Sequence, residues 1–296
     1  MDRSQQAALG SVGIGLLVFA LKLYAWYVTG SIALYSDALE SIINVVAAGA
    51  AFVALRVASI PADSNHPYGH HKAEYFSAVF EGVLVVLAAL AILREAWQGW
   101  FAPAPIDAPA LGLAINGTAS LINGVWAAWL MRRGRALRSP ALMADARHIL
   151  TDVWTSAGVI IGVILVTATG IERLDPAIAA LVALNILWQG WTMTREAAGG
   201  LMDKAPDEAI VQDLKQSIAR NAEGAIEAHD VRIRHAGAMT FIEFHLIVPG
   251  EMSVADSHAI CDRIEAALRD ALDAKVNVHI HVEPEHKAKH DGIVVL

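Results

Sequence analysis

Two polar pairs, Glu40 with Asn44 and His148 with Asp152, stand inside stretches otherwise apolar enough to cross a bilayer. Residues four apart lie on one face of a helix. Two such helices side by side would bring a carboxylate, an amide, an imidazole and a second carboxylate onto one small volume, a donor set suited to a divalent cation. A charged side chain at the bilayer centre costs about 2.5–3.5 kcal/mol on insertion scales, so these groups ask for a purpose. The plain alternative is a polar cluster that packs helices together.

Two further places carry metal-ligand chemistry. Near the C-terminus, Asn277, His279, His281 and Glu283 alternate with Val276, Val278, Ile280 and Val282, which puts the polar set on one face of a strand. His245 shares the polar face of an earlier strand with Glu243, His258 falls near the start of a helix, and His229 precedes the first strand of this region. The other place is the segment from Asp63 to Lys72, where Pro67 and Gly69 favour a tight turn and Asp63, His66 and His70 would fold onto one ion. Its alternative is a loop that is polar because it is exposed. Glu81 reads either as a relay for a proton or cation or as a packing partner, and Lys22 either snorkels or pairs.

The elements that must position these groups follow from composition. A chain of 296 residues that is 55% hydrophobic and 18% charged reads as an integral membrane protein. Six segments reach spanning length: 7–28, 32–57, 75–93, 108–130, 141–169 and 174–194. In the fourth, Asn116 and Asn123 share a face as groups for hydrogen bonds between helices. Residues 1–6 lack the features of a signal peptide, so the first hydrophobic segment is expected to remain as a helix. Arg132, Arg133, Arg135 and Arg138 lie between the fourth and fifth spans, and Arg56 and Lys72 flank the connection between the second and third. By the positive-inside rule, both termini are cytoplasmic in a cell's inner membrane.

Charge becomes frequent from Asp203 onward, which divides the chain into a transmembrane domain, 1–202, and a cytoplasmic domain, 203–296. In the latter, Pro206 opens an amphipathic helix, strands cover 231–235 and 241–248, a helix covers 254–272 and a strand 276–282, an α+β order. Residues 286–296 are expected to be loose. Net charge −8 and the lack of a basic stripe argue against nucleic acid. The single cysteine, Cys261, excludes an intramolecular disulfide framework and reads as a core residue.

Taken together, Ser36-Asp37-Ala38-Leu39-Glu40, the run from His66 to Glu74 and the run from Asp145 to Asp152 resemble the cation diffusion facilitator family of divalent-metal transporters. The resemblance covers nearly the whole chain. It implies a multi-pass α-helical membrane protein with six transmembrane helices and a C-terminal cytoplasmic α+β ferredoxin-like domain, working as a homodimer in lipid and not as an enzyme. It also implies a transport site of Glu40, Asn44, His148 and Asp152, a loop site of Asp63, His66 and His70, and a tail site of His229, His245, His258, His281 and Glu283. Lys72 and Asp203 hold the positions of a charge interlock that joins the halves. The expected cargo is Zn, with Fe, Mn, Co, Ni and Cd as alternatives, and protons are the counter-substrate.

The second span departs from the family pattern: Glu40 stands where His or Asp is usual, and Asn44 where Asp is usual. The site loses one formal charge and becomes richer in oxygen. Asp37, on the same face, would either supply the missing carboxylate or serve as polar packing. A different function class is a metal sensor or scaffold with a weakened transport site. An intramembrane metal-dependent hydrolase is disfavoured because the sequence has no His-Glu-x-x-His motif.

Overall fold

The computed structural model describes residues 3–136, 140–272, 275–289 and 292–294. By internal contacts the chain divides into two compact units, residues 1–53 with 77–194, and residues 54–76 with 195–296. Six long helices come first: α1 (Arg3–Thr29), α2 (Ile32–Ala58), α3 (Ala73–Phe101), α4 (Pro109–Ala136), α5 (Pro140–Thr169) and α6 (Leu174–Leu201). Five hold an apolar window sufficient to cross a membrane. The other, α4, has the length but carries Asn116, Thr118, Ser120 and Asn123 within it and arginines at its end. Helices α3 and α6 run several residues past the ends that apolar composition suggests, because helical hydrogen bonding continues through Arg94-Glu95 and Arg195-Glu196. Arg138 lies outside the described residues.

Small residues set the packing of the first unit. Ala25, Ala33, Ala89, Ala96, Ala179 and Ala183 are buried together with Leu34, Ile92, Val159, Val163 and Ile186. Small side chains let helix backbones approach without a hydrophobic driving force between them. Gly82 of α3 and Gly190 of α6 meet this way, since a Cβ on Gly82 would run into Thr194 Oγ1 and the Gly190 carbonyl. The start of α2 is capped from a distance: Asp175 of α6 accepts from Ser31 Oγ at 2.6 Å and from the Ile32 backbone N–H at 2.6 Å. That carboxylate satisfies donors that a helix N-terminus leaves open. Asn116 departs from its expected role, for both its amide atoms are buried without a hydrogen-bond partner among the described residues.

In the second unit, α7 (Glu208–Asn221), β1 (Glu227–Ala236), β2 (Met239–Val248), α8 (Val254–Ala271) and β3 (Lys275–Pro284) follow in order. Helix α7 begins after Asp207, so Pro206 precedes the helix instead of forming part of its first turn. The sheet order is β3-β2-β1-β4, with β4 (Ile293–Val294) antiparallel to β1 and β3 parallel to β2. Leu214, Ile218, Ile260, Ile264 and Leu268 from the helices bury one sheet face with Ile242, Phe244 and Leu246. Cys261 belongs to this core, and burial pushes its thiol pKa up. The β1–β2 hairpin closes on Gly237, whose φ of +55° has the sign that primed hairpin turns need. Parts of the C-terminal segment are ordered where looseness was expected: residues 285–287 form a 3-10 turn and 293–294 join the sheet, while 290–291 and 295–296 lie outside the described residues.

Asp203 is the junction of this unit. Its Oδ1 lies 2.8 Å from Lys72 Nζ and 3.0 Å from Arg234 NH1, and its φ is +58°. Lys72 first, and Arg234 with it, hold the Asp203 carboxyl below the usual carboxylate range. A depressed folded-state pKa gives stability that is present above the unfolded value and lost as pH falls through the folded one. Asp203→Ala is therefore expected to lower the thermal midpoint at neutral pH. The exposed ion pairs contribute at most about 1 kcal/mol of that loss, and the left-handed backbone, which aspartate tolerates better than alanine, adds to it. Only the ion-pair share titrates, so the gap between wild type and variant should narrow below about pH 4 without closing. Melting curves across pH check this, and a pH-independent difference would remove the ion pairs from the account.

Candidate metal sites

Helices α2 and α5 meet at the polar pairs. Asn44 Nδ2 donates to Asp152 Oδ2 at 2.9 Å. Asp152 is buried, Asn44 and Glu40 are half-buried, and His148 is exposed. Glu40 lies within electrostatic reach of Asp152, and Asp152 within reach of His148. Glu40 Oε2 is buried and has no hydrogen-bond partner among the described residues. An orphaned carboxylate oxygen at this depth is what a cation or a proton would satisfy.

One turn away along α2 and α5 lies a second polar cluster. Lys22 Nζ of α1 is 2.7 Å from Asp37 Oδ1 and donates to Ser156 Oγ at 2.9 Å, while Ser156 Oγ donates to Asp37 Oδ1 at 2.7 Å. Lys22 and Asp37 are 1% and 0% exposed. Lys22 thus pairs in the interior, and Asp37 spends one oxygen on that pair. Glu81 of α3 sits within electrostatic reach of His148.

The loop trio is drawn closer together. Ligand atoms of Asp63, His66 and His70 all lie within 4.8 Å of one another. Asp63 Oδ1 accepts from the backbone N–H groups of His66 at 2.7 Å and Asn65 at 2.9 Å, an Asx turn that aims the carboxylate at its own loop. Those bonds, His66 foremost, hold its pKa below the ordinary value. The reversal is completed at Gly69, with φ +81°, whose N–H donates to the His66 carbonyl at 2.9 Å. His70 Nδ1 is buried without a hydrogen-bond partner among the described residues.

On the sheet face away from the helices, His229 pairs with His245 across β1–β2, and His245 with His281 across β2–β3. Glu283 joins them, with one oxygen 3.5 Å from His229 Nε2 and 3.2 Å from His245 Nδ1 and the other 3.8 Å from His281 Nε2. His258 is not part of the group; it stands on α8, 75% exposed, 3.8 Å from Asp262. His229 lies inside β1 and does not precede it. Beside it is Asp230, in a bulge where the register shifts between His229 and Arg232, with φ +54°. His229, Asp230 and His245 place ligand atoms within 4.8 Å of one another.

The cation efflux transmembrane domain matches residues 9–202, and the cation efflux protein cytoplasmic domain matches residues 206–285. The chain belongs to the cation efflux, or cation diffusion facilitator, family. An uncharacterized transporter of Synechocystis sp. is 43% identical over 277 residues, covering 94% of this chain and 89% of its own. The cation-efflux pump FieF of Shewanella oneidensis is 30% identical over 282 residues, covering 94% and 93%. Among solved structures, the metal-bound C-terminal domain of the CzcD transporter from Thermotoga maritima is 29% identical and covers 28% of this chain and 100% of its own, with a TM-score of 0.26.

The protein is thus a membrane-spanning cation efflux transporter with a cytoplasmic C-terminal domain, and not an enzyme. Two acids that the sequence reading does not single out stand beside His229: Asp230 in the ligand-atom cluster, and Glu227, whose Oε1 is 3.0 Å from His229 Nδ1. The signal was present in Glu227-Ala-His-Asp230, where acids flank the histidine at two positions and one. Period-two alternation hides it, because it assigns Asp230 to the opposite face and the bulge brings it back.

Proposed function

We propose that the transporter exports a divalent transition-metal ion from the cytoplasm in exchange for protons, as a homodimer in a cell's inner membrane with both termini cytoplasmic. Residues 1–202 carry the ion and residues 203–296 sense it. The observation that supports this most directly is the buried Glu40 Oε2, unpartnered among the described residues, beside the Asn44–Asp152 contact. Glu40 and Asp152 satisfy a dication only when ionised, and His148 only when neutral, so metal and protons compete for the same donors. That competition is sufficient for antiport. In the tail, His229, His245, His281 and Glu283 are the ligands, and ordering by metal biases the conformation of the whole.

Proteoliposome flux tests the reading: metal uptake into everted vesicles should move protons the opposite way. A chain that binds metal in its tail but moves neither ion would be a sensor. Zn is favoured as cargo, with Fe, Mn, Co, Ni and Cd as the other candidates. The oxygen-rich pair on α2 tunes that choice. Asn44→Asp is expected to tighten metal binding on the order of tenfold, because it replaces an amide by a carboxylate next to a dication. Glu40→His should shift competition flux toward Zn and away from Mn or Fe. Unchanged affinity together with unchanged selectivity would mean that neither residue faces the ion.

A further inference from the structure

Beyond β3 the chain returns to β1. Pro284 ends β3, residues 285–287 make a 3-10 turn, and Ile293 and Val294 pair with Ala228 and Glu227 of β1. Between these anchors, Lys289 reaches Asp230: Nζ to Oδ2 is 2.6 Å. The Lys289 backbone N–H donates to Glu227 Oε1 at 3.3 Å. This strap lies past residue 285, where the family match stops.

What it covers is arranged for a cation. Glu227 Oε1 is 3.0 Å from His229 Nδ1, and His229 is 4% exposed with Nε2 lacking a hydrogen-bond partner among the described residues. A carboxylate that accepts a hydrogen bond from the Nδ1–H fixes the tautomer whose Nε2 lone pair is free, the way an outer carboxylate prepares an imidazole for a metal. Asp230 adds a charged donor to His229 and His245. The cation that meets Asp230 is the chain's own ammonium, and Lys289 first of all holds the Asp230 carboxyl below its usual range.

We propose that Asp230 is a ligand of the tail site and that Lys289 is its resident cation until metal arrives, the two being alternative occupants of the Asp230 carboxylate. The proposal rests on the reading of the tail as a metal site. A dication held by His229, Asp230 and His245 puts two positive charges beside the ammonium, and like charges at that separation repel. Metal entry therefore drives Lys289 off and loosens its backbone contact with Glu227. The strap stays anchored at Glu283 and Ile293, so the release is read at residues 285–289. Lys289 raises the metal concentration at which the tail fills, and its release marks the filled state on the domain's surface.

The test uses the full chain in detergent with zinc chloride, reading hydrogen exchange of the strap and zinc affinity, with tail zinc taken as the fraction lost in His229→Ala. Zinc should speed exchange at Lys287 to Lys289 while Ile293 stays protected. Lys289→Gln should bind tail zinc about two- to fivefold more tightly, as loss of an exposed ion-pair competitor allows. Asp230→Asn should bind it more weakly, although both variants free the strap without metal. Opposite signs from two halves of one ion pair are not produced by a merely structural contact. If Lys289→Gln has wild-type affinity and zinc leaves exchange unchanged, the competition is overturned and the tail site stands. If His229→Ala loses no zinc, the tail site falls and the competition with it.

Discussion

Asp152→Ala is expected to abolish metal flux in proteoliposomes while leaving a folded, membrane-inserted chain, and His148→Ala to do the same. Asp152 is 7% exposed and in direct contact with Asn44. Truncating it removes the site's most enclosed charged donor. His148 is exposed on the same helix face, one turn earlier, and supplies the nitrogen that favours later first-row ions. Loss of either donor from a four-donor set should reduce flux by at least about a hundredfold, equivalent to some 2.7 kcal/mol. Neither change opens a cavity in a large apolar cluster, so elution of the purified protein should be unchanged. Near wild-type flux from both variants would sink the assignment of α2 and α5 as the ion's binding face.

Spacing made the two polar pairs visible because charge is conspicuous in apolar helices and i,i+4 is a local relation. The loop trio was legible for the same reason, since Asp63, His66 and His70 span eight residues and Pro67 and Gly69 announce the reversal. Other contacts lie at sequence separations that no local pattern encodes. Lys22 meets Ser156 across 134 residues and Asp37 across 15, and the sequence left Lys22 between snorkelling and pairing. His258 looked like its neighbours in composition, but α8 carries it outward while β1, β2 and β3 gather the rest. Strand β4 is two residues long and has no periodicity to detect, so the strap it anchors was read as loose. Membership of the family was legible from three motifs together.

Asp37→Leu alone should be the most damaging single change in the transmembrane unit, and Lys22→Met should rescue it. The pair is 2.7 Å apart at 1% and 0% exposure, and Ser156 bonds to both members. Removing one partner of a buried ion pair leaves an uncompensated charge, at a cost of about 3–5 kcal/mol. Replacing both with apolar groups of similar volume is often neutral, because the desolvation of two charges disappears with their attraction. A thermal-stability cycle over wild type, Lys22→Met, Asp37→Leu and the double variant should therefore give a coupling of at least about 2 kcal/mol, near the upper end for interacting neighbours. In Asp37→Leu the orphaned ammonium has another recourse, since Glu40 and Asp152 are both within its electrostatic reach. Any surviving folded protein should then carry Lys22 on the Glu40 and Asp152 oxygens proposed to receive the ion, and its flux should fall further than its yield. The double variant has no ammonium to misplace. If it transports metal at near wild-type rates, the pair holds α1, α2 and α5 together and takes no part in carrying the ion; additive, small effects from the two single changes would instead show that the interior pair does not bear on stability at all.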